Sequence, residues 1–311
     1  MTISSQSPAT SVQSFFHPDT STVTYVVHDR LTGKAALIDS VLDYDPYSGR
    51  TNTTAIDKVL SYIVSEQLSL QWILDTHIHA DHITGSGYVK QHMGGLIGIG
   101  SGIIDVLALW VPVFNTKHDT DLEGSQFDRL FADNEIIKLG EQDLTIWHTP
   151  GHTPACVSYL IGNHAFVGDT LFMPDVGTAR TDFPGGSAHA LYQSVQRLFS
   201  LPDDTTICSG HDYPPAGRAL SWQATVAEHK QRNVLVHQGV SQAEYVKMRH
   251  QRDQGKPVPQ MLLPSIQSNL RSGSFGLPES NGRQYVKIPI NGLPNPQDTD
   301  SSRNPNPQRP S

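Results

Sequence analysis

The 311 residues carry 37% hydrophobic and 17% charged side chains, the balance of a soluble globular chain that can bury a sizeable core in one large domain or two small ones. A net charge of −8 argues against a nucleic-acid partner, because phosphate binding needs a basic face. Two cysteines, Cys156 and Cys208, allow at most one disulfide and no zinc-finger spacing, so a reducing, cytoplasmic setting is expected.

Residues 1–13 are rich in Ser and Thr and lack both a basic residue and an apolar run. They match neither a secretory signal nor an Arg-rich transit peptide, and are expected to be flexible. Residues 22–28 and 35–39 are apolar or alternating around Leu31-Thr32-Gly33-Lys34, the pattern of a β-hairpin. A Gly/Pro/Asp-rich loop is expected at 43–50. Ile56, Val59, Leu60, Ile63 and Val64 then repeat at helical spacing, and 70–75 reads as a short buried strand followed by a helix at 85–93.

Residues 96–114 are apolar enough to be weighed as a membrane span. Asp105 in their middle, the interrupting Gly and Pro residues, and the helical spacing of Ile103, Leu107, Trp110, Val111 and Phe114 predict a packed helix instead, with no membrane partner. The segment Ile103 to Phe114 either covers the core or forms a dimer surface; the latter, and with it a homodimer, is expected. Strands are predicted at 143–148, 155–161, 164–168 and 205–208, and helices at about 187–200 and 219–231. A further helix starts at the capping-box pattern Ser241-Gln242-Ala243-Glu244 and carries Arg249 and Arg252 one turn apart. Residues 294–311 hold five prolines and no large apolar side chain, so they are expected to be disordered or extended. The expectation is one domain over 14–292, between a flexible terminus (1–13) and a Pro-rich tail (293–311).

The densest chemistry lies just after the 70–75 strand, where His77, His79, Asp81 and His82 fall within six residues. Side chains on extended backbone repeat every second residue, so His77 and His79 share a side. Nitrogen and carboxylate at this density suit a transition metal better than calcium or magnesium. His152, Asp169 and His211 are added downstream, each at a strand end or in the loop after one, where a layered α/β fold places its chemistry. One metal needs three or four of these seven residues; a pair sharing a carboxylate could use them all.

Four motifs recur in order over about 135 residues: His77-x-His79-x-Asp81-His82, Thr149-Pro150-Gly151-His152-Thr153, Gly168-Asp169-Thr170 and Gly210-His211-Asp212. Together they closely resemble those of the metallo-β-lactamase superfamily. The resemblance implies an α/β protein, an αββα sandwich with a metal site at one edge of two packed sheets. A closer resemblance is to the persulfide (sulfur) dioxygenases of that superfamily. It rests on His82-Ile83-Thr84-Gly85-Ser86-Gly87, Ala179-Arg180-Thr181-Asp182-Phe183, His211-Asp212-Tyr213 and Pro264-Ser265-Ile266-Gln267-Ser268-Asn269-Leu270-Arg271. Met173-Pro174-Asp175 and Gly185-Gly186 resemble the bacterial branch also described as β-lactamase hydrolase-like.

In that family one iron(II) per subunit is held by two histidines and a carboxylate, which map onto His77, His152 and Asp169. This is the facial triad that leaves metal positions open for substrate and O2. His79, Asp81, His82 and His211 are then implied to orient ligands, position water and tune the metal. The implied reaction oxidises glutathione persulfide with O2 to sulfite and glutathione, in sulfide detoxification. Arg180 and Arg271 are the implied bidentate grips for the carboxylates of the tripeptide, with Tyr213 and Asn269 as hydrogen-bonding neighbours. Arg249 and Arg252 are candidates from helix placement alone. The ligand set does not force iron: a zinc pair in a glyoxalase II-like thioester hydrolase fits the same seven residues, and that alternative stays open.

Overall fold

Alternation along the strands decides the layering. In the computed structural model, which describes residues 9–293, the first half runs β1 (Thr10–His17), β2 (Thr22–Asp29), β3 (Lys34–Ile38), β4 (Val41–Asp45), β5 (Arg50–Asn52), α1 (Thr54–Ser65), β6 (Ser69–Leu74), β7 (Ile83–Thr84), α2 (Ser86–Met93), β8 (Leu96–Gly100), α3 (Ile103–Phe114) and β9 (Arg129–Phe131). The second half runs β10 (Ile136–Leu139), β11 (Gln142–His148), β12 (Val157–Ile161), β13 (His164–Gly168), α4 (Ala188–Leu198), β14 (Thr206–Ser209), β15 (Gln223–Thr225), α5 (Val226–Arg232), α6 (Gln242–Asp253) and α7 (Leu262–Asn269). One six-stranded sheet has the order β1-β2-β3-β6-β8-β9 and the other β10-β11-β12-β13-β14-β15.

Tyr25, Val27, Ala36, Ile38 and Leu74 point from the first sheet into a shared core with Leu144, Ile146, Tyr159, Phe166 and Cys208 of the second. Their alternates Val26, Ala35, Leu37 and Ile73 face outward and are covered by the apolar sides of α1 and α3. The outer face of the second sheet, with Ala165, Val167 and Ile207, packs on Leu191, Val195 and Leu198 of α4. The expected αββα sandwich is therefore the fold.

Several local expectations change. β1 begins at Thr10 and pairs with β2 along its whole length, from Thr10 opposite Asp29 to His17 opposite Thr22, so the expected flexible terminus overlaps a strand. A sheet edge leaves half its surface to water, which suits the Ser and Gln residues that hid it. The loop at 43–50 contains the β4–β5 hairpin. The helix expected at 219–231 starts only at Val226, because Thr225 and Glu228 form a capping box there and 223–225 pair with β14 instead. Residues 1–8 and the Pro-rich tail from 294 lie outside the described residues.

The expected dimer surface is also corrected. Ile103, Leu107, Trp110, Val111 and Phe114 are at most 5% exposed, because α3 lies on the first sheet and its apolar face is used within the chain. No helix among the described residues is long and apolar enough to cross a membrane. Trp110→Ala, which also removes the ring stacked on Phe114 at 5.6 Å, is expected to lower unfolding stability by about 3–5 kcal/mol in a urea titration.

Strand ends bring the site together. β6, β13 and β14 end at one edge of the sandwich, next to the loop between β11 and β12. The approach is close: Gly168 has φ +49°, and a Cβ there would collide with the side chain of Thr76. Gly168→Ala is expected to destabilise the fold by about 1–3 kcal/mol and to reduce bound metal per chain, measured by thermal unfolding and elemental analysis.

Candidate metal centre

Each imidazole of the site is oriented by what its outer nitrogen touches. The Thr76 hydroxyl donates to Asp39 Oδ2 at 2.8 Å, so it accepts from His77 Nδ1 at 3.0 Å. That fixes the His77 tautomer with its Nε2 lone pair facing inward. His152 Nδ1 donates to the Arg180 carbonyl at 2.7 Å, and His211 Nδ1 to the Ser21 carbonyl at 3.2 Å, with the same consequence. His79 is held through Nε2, 3.1 Å from Asp39 Oδ1, which leaves its Nδ1 free.

The inward atoms converge. Asp169 Oδ2 lies 3.9 Å from His77 Nε2 and 3.7 Å from His152 Nε2. Its other oxygen is 3.4 Å from His211 Nε2, which is in turn 3.3 Å from Asp81 Oδ2. Among the described residues three groups have their ligand atoms within 4.8 Å of one another: His77, His152 and Asp169; His79, Asp81, His82 and His211; and, farther in, Asp39, Asp75 and His79. Buried and without a hydrogen-bond partner are His77 Nε2, His79 Nδ1, His82 Nε2, His211 Nε2, Asp81 Oδ2 and Asp169 Oδ1. Buried polar atoms are rarely left unpaired, so so many orphans aimed at one place fit a metal, and the nitrogen-rich donor set fits a transition metal.

Electrostatics at His77 and His79 agree with that fit. Burial and neighbouring imidazoles, His79 beside His77 and His82 beside His79, hold the pKa of both rings well below the ordinary histidine value, so both are neutral and able to ligate. Burial opposes ionisation of Asp81, but His211 and His82 override it and hold the carboxyl well below its usual range. Burial also opposes protonation of His211, which the carboxylates of Asp169 and Asp81 outweigh, raising its pKa. Farther in, burial and then the charge of Asp39 push Asp75 up to about 7.

A cavity of about 600 Å³ opens onto His152, Asp169 and Asp81. Phe172, Phe183 and Tyr213 form apolar walls, the Tyr213 ring stacked 5.5 Å from that of His211. Arg180 faces this cavity, but its guanidinium makes two 2.6 Å bonds to Asp182 and one of 2.8 Å to the Pro257 carbonyl. Arg249 is buried and paired with Asp253 at 2.7 Å. Arg252 and Lys256 are exposed at the mouth, the first donating to the Val176 carbonyl at 3.2 Å and the second 3.8 Å from Asp253.

Two expected substrate contacts lie elsewhere. Arg271 is paired with Asp119 at 2.9 Å beside a separate small hollow. Asn269 donates to the carbonyls of His79 (2.9 Å) and His82 (2.8 Å) and accepts from Thr84 N (2.9 Å), so it fastens the histidine loop from behind. Asn269 ends α7, which packs against β7, and Arg271 follows it; neither lines the cavity. Sequence reasoning missed Asp39, although it sits at a strand end like the ligands. It also missed Lys256, for which the sequence carries no signal. Cys156 and Cys208 are buried with their thiols pushed up to about 12 by burial, which leaves neither a nucleophile.

Residues 17–211 match the family model of the metallo-β-lactamase superfamily. A β-lactamase hydrolase-like protein of Xylella fastidiosa is 45% identical over 282 residues, which cover 91% of this chain and 65% of that longer relative. A human mitochondrial persulfide dioxygenase, ETHE1, is 32% identical over 265 residues, 84% of this chain and 88% of the relative. The crystal structure of ETHE1 from Myxococcus xanthus superposes with a TM-score of 0.68 at 29% identity, covering 85% of this chain and all of that one. With its fold, its ligand-bearing strand ends and these likenesses in agreement, the chain belongs to the metallo-β-lactamase superfamily.

Proposed function

We propose that the chain is a persulfide dioxygenase that oxidises glutathione persulfide with O2 at one iron(II) held by His77, His152 and Asp169. The observation that carries this reading is the split of the donor set: His77, His152 and Asp169 converge as a group of three, and His152 and Asp169 line the open cavity. Similarity to the human persulfide dioxygenase supports the choice of reaction. Two buried free cysteines agree with the reducing cytoplasm in which we place it.

Iron(II), when bound, supplies the redox chemistry between the terminal sulfur and O2. In the balanced reaction, glutathione persulfide, O2 and one water give glutathione, sulfite and two protons. The chain supplies the rest. His77 and His152 present Nε2 on rings held through Nδ1, and Asp169 contributes the carboxylate. Phe172 and Phe183 restrict water on the walls. Arg252 and Lys256 offer positive charge at the mouth for the two carboxylates of the tripeptide, and the cavity volume of about 600 Å³ lies in the range of small-molecule sites. Arg180 acts through its carbonyl on His152 and keeps the wall rigid through Asp182.

A second reading, a dinuclear thioester hydrolase, is favoured by the unpaired inward atoms of His79, Asp81, His82 and His211 and by the hydrolase-like name of a 45% identical relative. Anaerobic iron loading followed by oxygen-electrode measurement separates the two. Uptake of O2 that depends on glutathione persulfide and yields sulfite is expected, and Asp169→Ala is expected to lose bound iron and uptake together. Iron-loaded protein without uptake, alongside hydrolysis of a glutathione thioester by zinc-loaded protein, overturns the first reading. Arg252→Ala and Lys256→Ala are each expected to raise KM for glutathione persulfide by about fivefold with kcat retained, in steady-state kinetics.

A further inference from the structure

The buried face of α6 consists of Tyr245, Arg249 and Asp253, spaced four residues apart. A helix packed on a protein interior ordinarily presents aliphatic side chains there, whereas two of these three are ionic. Asp253 is also the last residue of α6, where the helix dipole disfavours an anion. Taking an ion pair out of water is costly, and apolar replacements are often at least as stable. Stability alone therefore does not account for this face.

All three side chains bond to one segment, 178–181. Tyr245 Oη is 2.8 Å from Thr178 Oγ1, and Arg249 Nη1 donates to the Thr178 carbonyl at 2.9 Å. Arg249 also grips Asp253 through Nε and Nη2, at 3.1 and 2.7 Å. Asp253 Oδ2 in turn accepts from Thr181 N at 2.9 Å and from Thr181 Oγ1 at 3.3 Å. That N–H belongs to the same peptide unit as the Arg180 carbonyl, which accepts from His152 Nδ1 at 2.7 Å. A trans peptide points its two polar groups in opposite directions, so His152 lies on one side of the unit and Asp253 on the other. A carboxylate on the N–H polarises the peptide and makes its carbonyl oxygen a stronger acceptor. A histidine whose outer N–H is held by a stronger acceptor is more firmly oriented and a more basic metal ligand.

We propose that Asp253, held by Arg249, is a positioning residue for His152: it acts through the 180–181 peptide and strengthens the hold of His152 Nε2 on a metal. No proton moves along the line; Thr181 N and His152 Nδ1 each keep their hydrogen. Arg249 offsets the charge of the carboxylate and fixes its plane by the two-pronged contact. This role requires only that His152 ligates a metal, and holds for either reaction. It also gives α6 two tasks, since the helix that carries Arg252 to the mouth of the cavity steadies a ligand at its metal centre.

The test compares the full chain with the double variant Arg249→Gln/Asp253→Asn, in which both charges go together and no lone ion is buried. Asp182→Asn is the control, because it releases the Arg180 guanidinium and leaves the 180–181 peptide alone. Two readouts are taken without substrate: zinc affinity by competition with a chromophoric chelator, and the His152 Nδ1–H signal of zinc-loaded, ¹⁵N-histidine-labelled protein by NMR. In the double variant zinc affinity is expected to fall about tenfold and the Nδ1–H proton to move upfield, with both unchanged in Asp182→Asn. Unchanged affinity and signal in the double variant overturn this role, whatever happens to its unfolding temperature. An equal change in Asp182→Asn also overturns it, by marking a general loosening of the wall. Should the double variant not fold, the unmodified chain decides: zinc loading is expected to move the Thr181 amide proton downfield, and a signal indifferent to zinc overturns the relay. An unmodified chain that binds no zinc refutes the metal centre and this role with it, whereas the other outcomes bear on Asp253 alone.

Discussion

Asp39 is the carboxylate on which the metal centre rests. It directly follows β3, is 1% exposed, and receives bonds from Thr76 N, Thr76 Oγ1 and His79 Nε2. Burial raises its pKa, so an isolated carboxylate here would give up its charge; donors on both oxygens and nearby imidazoles make the buried anion tolerable. Its φ is 51°, in the left-handed region. From that one contact follow the hydroxyl orientation of Thr76, the tautomer of His77 and the commitment of His79.

The same logic recurs at each ligand. Backbone carbonyls of Arg180 and Ser21 take the outer protons of His152 and His211, and Asn269 ties the loop carbonyls of His79 and His82 to Thr84. Partners of this kind hold rings to a small angular range, and a metal bound by pre-aimed rings loses little ordering entropy. They also separate the donors into a three-residue group beside the open cavity and a four-residue group bridged to it by Asp169. One cluster therefore offers both an open coordination face and a set of polar groups behind it.

The charges around the cavity divide by burial. Arg180 and Arg249 are paired with Asp182 and Asp253 and act as wall. Charge available to an anionic ligand sits at the rim, on Arg252 and Lys256, where partners are distant or neutral. Buried ion pairs set shape, while exposed cations set attraction.

Much of this was legible in the chain. Apolar or alternating runs anticipated β2 and β3, helical spacing anticipated α1 and α3, and the rule that ligands follow strand ends collected seven residues that the fold brings into two candidate clusters. These are local properties, and local sequence carries them. Edge strands such as β1 and β15 escaped, because a half-wet strand has too few apolar residues to announce itself. So did the fate of each arginine and of Asn269, since an Arg reads the same whether its partner is a ligand or Asp182, Asp253 or Asp119. The sequence by itself determined which side chains could meet a metal and which elements carry them. Only the tertiary structure decided which nitrogen of each histidine faces inward, which cations stay free and where the loop is anchored, because those depend on partners up to 190 residues away along the chain.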